Sequence, residues 1–115
     1  MANKTHLKRS EMNKILKFVQ MIEQQGISVS KVILFGSYAK GKANPDSDID
    51  IAVVSTQFGQ DIVEEMMKLR KIALNIDSHI EPVPLCPDDL DDNFSTLAQE
   101  IKRYGVDVAI TRAAG

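Results

Sequence analysis

Residues 31–37 read Lys-Val-Ile-Leu-Phe-Gly-Ser, and ten residues further on residues 48–54 read Asp-Ile-Asp-Ile-Ala-Val-Val. The first run, Lys31–Phe35, is β-branched and aromatic, the composition of a strand, and Gly36-Ser37 cuts it off abruptly. The second alternates polar and apolar at its start and is continuously apolar after it, which is a second strand. The polar stretch between them holds Gly41 and Asn44-Pro45, both turn formers. A hairpin-like return through that stretch brings Ser37 beside Asp48 and Asp50.

Working outward, Met12, Ile15, Leu16, Val19 and Ile22 recur at helical spacing and predict a helix over Ser10–Gln25. Gly26 stands where a helix is closed by a left-handed residue. On the other side, Asp61 followed by Glu64 is a capping-box-like start for a helix whose stripe is Ile62, Met66, Leu69 and Ala73. A third strand is expected from about Ser78 to Leu85, and Pro82 and Pro84 confine it to an edge or shorten it. Pro87-Asp88-Asp89 opens a last helix carrying Leu90, Phe94, Leu97 and Ile101. Gly105 ends it, with a short strand at Val106–Ile110. The order α-β-β-α-β-α with a terminal strand predicts an α+β fold, a small sheet whose helices pack on one face.

The 115 residues, 43% apolar and 26% charged, are expected to form a single domain over residues 1–115. One two-layer core fits this length, and a large enzyme with its own substrate domain does not. Fourteen Lys and Arg against sixteen Asp and Glu leave a net charge of −2, without the basic footprint that a long nucleic acid needs. A lone cysteine, Cys86, rules out an internal disulfide and is expected to be a packing residue. The longest apolar runs, Val32–Phe35 and Ile51–Val54, fall far short of a membrane span. The polar residues 1–10 lack the apolar middle of a secretory signal, so a cytoplasmic location is expected.

Chemistry concentrates at Gly36-Ser37 and Asp48-Ile49-Asp50. Residues two apart on a strand share a face, with Cα atoms roughly 6–7 Å apart, so both carboxylates aim one way while Ile49 enters the core. Two such charges repel unless a cation compensates. Paired divalent ions about 3.5–4 Å apart suit that arrangement, and hard oxygen donors suit Mg²⁺. Asp-x-Asp by itself equally suits a solvated strand face. At Gly36 the backbone can approach a ligand closely and turn N–H groups toward an anion, while the Ser37 hydroxyl adds a donor for a phosphate oxygen. Lys40 and Lys42, in the intervening loop, suit either neutralising triphosphate charge or simple exposure to solvent. Tyr38 suits either stacking on a base or covering the loop, and His6 carries no expectation beyond solvation.

On these residues, Gly36-Ser37, the ten-residue spacer and Asp48-x-Asp50, the chain resembles the polymerase-beta-type nucleotidyltransferases. Within them it is most similar to the minimal nucleotidyltransferases of prokaryotes, over nearly its whole length. The resemblance implies the polymerase-beta-like fold with a small mixed sheet, the Gly-Ser pair on the triphosphate of ATP, and two Mg²⁺ ions on the paired carboxylates. It also implies a third carboxylate on the strand after the second helix. Glu81 has the parity for it, with Ile80 facing the core, although the family more usually carries Asp there. Asp77 is the fallback, and His79 shares its parity.

The implied activity is transfer of AMP from ATP to an acceptor, with release of pyrophosphate. Minimal nucleotidyltransferases are typically paired with a helical HEPN-domain protein, so the resemblance implies an antitoxin that modifies a tyrosine of a HEPN toxin. Two alternatives stand beside this. One is a weakly catalytic nucleotide-binding module that neutralises its partner by complex formation. The other is a small-molecule nucleotidyltransferase completed by dimerisation, so a homo- or hetero-oligomer is expected.

Overall fold

The computed structural model describes residues 7–108. Four helices and four strands follow one another as α1 (Arg9–Gln24), β1 (Lys31–Phe35), α2 (Gly36–Lys40), β2 (Ile49–Val54), α3 (Ile62–Leu74), β3 (Ile80–Leu85), α4 (Thr96–Tyr104) and β4 (Val106–Asp107), with a 3₁₀ turn at Pro87–Asp91. The sheet order is β3-β2-β1-β4. β1 pairs antiparallel with both β2 and β4, and β2 pairs parallel with β3 across the α3 crossover. The sheet is therefore mixed.

β3 lies at an edge, as its prolines require. Ile49 N–H donates to His79 O at 2.7 Å and Ser55 N–H to Leu85 O at 2.9 Å. Odd-numbered residues of β3 thus turn their polar groups toward β2, and Pro82 and Pro84 leave their missing N–H on the outer edge, where no ladder bond is lost. At the opposite edge β4 is short, and Val108 N–H donates to Val32 O at 2.9 Å. Residues 109 and 110 of the expected last strand lie outside the described residues.

The expectation of helices on one face holds for α1 and α3 only. Ile15, Phe18, Val19 and Ile22 of α1 and Leu69, Ile72 and Ala73 of α3 pack against Val32, Leu34, Ile51 and Val53. The alternate strand residues Ile33, Phe35, Ala52, Val54 and Leu85 form a second apolar cluster with Ile101 of α4. Their side chains are as apolar as those of the first face, so this face also needs a cover.

The last helix differs from expectation in the same region. Asp92 Oδ1 accepts from Phe94 N–H at 2.9 Å and Ser95 Oγ from Ala98 N–H at 3.0 Å. These side-chain bonds break the segment after the 3₁₀ turn and start α4 afresh. Phe94, in the break, is 96% exposed and leaves the predicted stripe. In α3, Asp61 caps the Glu64 N–H at 3.1 Å as expected, but Ile62 and Met66 are exposed and only the C-terminal half of the helix is buried. No helix among the described residues is long and apolar enough to cross a membrane.

Candidate active site

Gly36-Ser37 does not end in a loop, because it opens α2, a five-residue helix closed by Gly41 in the left-handed conformation. The first N–H groups of a helix have no partner within it, and the residue before this one, Phe35, supplies no side-chain cap. In the β1–β2 hairpin Phe35 stands opposite Asp50, so the end of β1, the start of α2 and the Asp-x-Asp segment meet at one corner of the sheet. The contact is intimate. A Cβ built on Gly36 would lie 2.1 Å from Asp50 Oδ2 and 2.9 Å from its Cγ, and Gly36 has φ +74°. Gly36 is thus glycine because the protein's own carboxylate rests on its Cα and because its backbone is left-handed.

On the other side of β2, Asp50 is in register with Glu81 of β3. Ile80 is buried in the α1/α3 core and Glu81 faces the other way, as its parity predicted. Asp48, just before β2, is exposed. The half-buried Asp50 carboxyl is pushed up to about 6, first by burial and then by Asp48, Glu81 and Glu100. Such a clustering of negative charge is what a cation relieves, and hard oxygen donors suit Mg²⁺. The aspartate pair therefore fits the metal that the resemblance implies. The third position is different. Among the described residues no three His, Cys, Asp or Glu side chains are grouped to hold an ion, and Glu81 is engaged by Arg70, whose Nη1 and Nη2 donate to Oε1 and Oε2 at 2.9 and 3.1 Å.

The predicted lysines are placed less simply. Lys40 Nζ is 3.6 Å from Glu100 Oε2 and 4.8 Å from the centroid of the Tyr104 ring, so α4 holds it. Lys42 is exposed, and its backbone N–H donates to Ser37 O at 2.9 Å, closing the turn around Ser37. Tyr38 is buried in the core and its hydroxyl donates to Glu11 Oε2 at 2.9 Å, which answers the stacking-or-covering question in favour of covering. Cys86 is half-buried, with its N–H on Asp89 Oδ2. His6 lies outside the described residues.

Asp77, the fallback carboxylate, belongs to another network. Lys14 Nζ donates to its Oδ2 at 2.6 Å, and its Oδ1 accepts from His79 N–H at 2.8 Å with His79 Nδ1 at 2.9 Å. The bond from Lys14, followed by those from His79, holds the Asp77 carboxyl well below the usual carboxylate range. A depressed carboxylate stabilises the fold above its unfolded pKa, and that contribution disappears as pH falls below about 4. Asp77→Asn is therefore expected to cost about 1–2 kcal/mol at pH 7, discounted for the exposed lysine. Urea midpoints of the two proteins should draw together progressively as pH falls below about 4; a difference that is constant with pH would contradict the assignment.

Arg70 and Glu100, which border the aspartates, carry no expectation in the sequence reading. Arg70 and Glu81 are eleven residues apart on different elements, and no local spacing links them. Only the α3 crossover between the parallel strands β2 and β3 puts the arginine at that edge.

A family profile described as nucleotidyltransferase domain matches residues 12–110. Two curated relatives from Methanocaldococcus jannaschii, both provisionally named protein adenylyltransferases, are similar in sequence. One is 34% identical over 85 residues, covering 69% of this chain and 58% of the relative. The other is 32% identical over 84 residues, covering 70% and 79%. The chain thus spans little more than half the length of the first. A crystal structure of a toxin–antitoxin with AMP-PNP is similar with a TM-score of 0.59 and 29% identity, over 88% of this chain and 74% of that one. A Sulfolobus solfataricus protein, provisionally named a nucleotidyltransferase, shares the fold with a TM-score of 0.63 at 17% identity, over 90% of both chains.

Proposed function

Because the chain belongs to the nucleotidyltransferase domain family, whose profile spans residues 12–110, we propose that it transfers AMP from ATP to a hydroxyl of a partner protein. The acceptor we favour is a tyrosine of a HEPN-domain toxin, which makes this chain the antitoxin of the pair. The observation that carries the reading is the Asp50 carboxylate seated on Gly36, because it joins the triphosphate-binding and carboxylate halves of the motif at one point. The names of the M. jannaschii relatives and the toxin–antitoxin structure with AMP-PNP support the acceptor class.

In this reading the first-turn N–H groups of α2 and the Ser37 hydroxyl donate to the β- and γ-phosphates. Asp48 and Asp50 hold Mg²⁺, two ions in all, with Glu81 as the third carboxylate. Bound there, Mg²⁺ neutralises charge on the triphosphate and polarises the reacting phosphorus. Lys42 is exposed toward solvent beside Ser37, and Lys40 reaches the phosphates on leaving Glu100. The acceptor oxygen forms a bond to the α-phosphorus, the bond to the pyrophosphate oxygen breaks, and pyrophosphate leaves with the electron pair. The hydroxyl proton passes to a site carboxylate, for which Glu81 is the candidate. Positioning and charge neutralisation are the protein's contribution.

Neutralisation by contact alone is the second reading, favoured by one observation: Glu81 is already paired with Arg70 rather than grouped with the aspartates. Incubation with source lysate, Mg²⁺ and ATP labelled at either the α- or the γ-phosphorus separates the two. Nucleotidyl transfer labels a protein band from the α- but not the γ-position, and EDTA abolishes it. A captured partner that carries no label with any nucleotide would leave contact as the function.

A further inference from the structure

The Arg70–Glu81 fork has a consequence for the site it borders. Arg70 is half-exposed, at 53% of its side chain, yet both of its terminal nitrogens are spent on one carboxylate. A surface ion pair of this kind adds little to stability. Here the carboxylate stands opposite Asp50 across the parallel ladder, and Arg70 also feels the charge of Asp48. The guanidinium is therefore a cation beside the carboxylate end of the sheet. Among the described residues no three such side chains are grouped to hold an ion, and the carboxylate in register with Asp50 is turned to this arginine.

We propose that Arg70 is a positioning residue that stands in for a metal cation at Glu81, so that Arg70 and a divalent ion compete for that carboxylate. This rests on the nucleotidyl-transfer reading of Asp48, Asp50 and Glu81 and adds a residue to it. The Arg70 fork satisfies Glu81 and offsets its repulsion with Asp50 while no metal is bound. A divalent ion bound at the aspartates, with or without nucleotide, would compete with Arg70 for Glu81. The freed guanidinium then stands at the site's rim, with a bidentate geometry suited to a phosphate group. By linkage, weakening the fork strengthens metal binding, by at most the factor by which the fork is weakened.

The test is a Mn²⁺ titration of the full chain without nucleotide, following free Mn²⁺ by electron paramagnetic resonance. It compares the wild type with Arg70→Ala, Arg70→Lys, Glu81→Gln, Asp50→Asn and the double variant Arg70→Ala/Glu81→Gln. Arg70→Ala is expected to bind Mn²⁺ roughly five- to tenfold more tightly than the wild type. Arg70→Lys, which keeps the charge without the fork, should fall between them. In the Glu81→Gln background the gain from removing Arg70 should vanish, because the competition acts through that carboxylate. A gain that persists in Glu81→Gln would mean only a general change in surface charge and would overturn the proposal, as would unchanged or weaker binding by Arg70→Ala. If wild-type binding survives intact in Asp50→Asn, the site reading itself fails and takes the proposal with it. If Asp50→Asn loses binding while Arg70→Ala matches the wild type, only the role of Arg70 fails.

Discussion

Asp48→Asn/Asp50→Asn is expected to lower AMP transfer by at least roughly a thousandfold, while Asp50→Asn makes the metal-free protein harder to unfold at neutral pH. The two effects have one cause. Asp50 is half-buried among Asp48, Glu81 and Glu100, and its carboxyl is pushed up to about 6 from an ordinary 3.8. Between those values the folded chain holds a proton that the unfolded chain has released, so this group favours the fold most at low pH. Its contribution is lost as pH rises through about 6, and above that its charge opposes folding. Asparagine carries no charge at any pH. In EDTA at pH 7, Asp50→Asn should therefore gain about 1–2 kcal/mol, reduced from the full shift by solvent screening, or several degrees in Tm. At pH 4 the gain should be absent. Mg²⁺ should raise the Tm of the wild type and not that of the double variant. A double variant that still transfers AMP, or an Asp50→Asn protein that melts lower in EDTA at pH 7, would contradict the site as drawn.

Gly36→Ala is the second large effect. The added methyl would stand 2.1 Å from Asp50 Oδ2 and 3.1 Å from its Cβ, on a residue whose φ is +74°. The left-handed backbone alone costs on the order of 1–3 kcal/mol for a residue with a side chain. The clash adds to it and drives the Asp50 carboxylate off its position, so transfer should fall by about a hundredfold or more even in molecules that fold. Gly26 isolates the two contributions. Its φ is +87° and a Cβ there meets nothing within 4 Å, so Gly26→Ala should lower Tm through strain alone and leave transfer unchanged. Removing the opposing carboxylate with Asp50→Ala should relieve the clash with Oδ2 and Cγ and leave only the tight contact with Cβ, so Gly36→Ala should cost much less in that background than in the wild type, which differential scanning calorimetry can read. Equal losses of transfer in Gly26→Ala and Gly36→Ala would contradict the contact.

How much of this was legible before folding varies from element to element. The period of two in Ile49-Asp50 and in Ile80-Glu81 assigned each side chain to its face, and the structure keeps those faces, while Asp48 lies just before β2 and is exposed. Pro82 and Pro84 announced an edge because proline lacks the ladder donor, and β3 is an edge. The Asp61 cap of α3 and the Ile15, Val19 and Ile22 part of the α1 stripe rest on contacts three or four residues apart and also held, although Leu16 is only half-buried and Phe18, outside the predicted stripe, is fully buried. By contrast, Phe94 was assigned to a stripe that the Asp92 and Ser95 side chains interrupt, a competition between local hydrogen bonds and periodicity. The helix at Gly36–Lys40 was read as a turn, because five residues are too few to show a period.

The sequence by itself determined which residues carry charge, which face of its strand Asp50 and Glu81 each occupy, and that Gly36 and Asp50 meet. Those are consequences of short-range geometry, the alternation of a strand and the reach of one hairpin. Tertiary structure alone decided what surrounds them. It gave Glu81 to Arg70, Lys40 to Glu100 and Tyr104, and Asp77 to Lys14, sixty-three residues away. It also set α4 over the second face of the sheet. A charged side chain pairs with whatever the sheet order and the helix crossover bring within a few ångströms, and that distance is not encoded in the spacing along the chain.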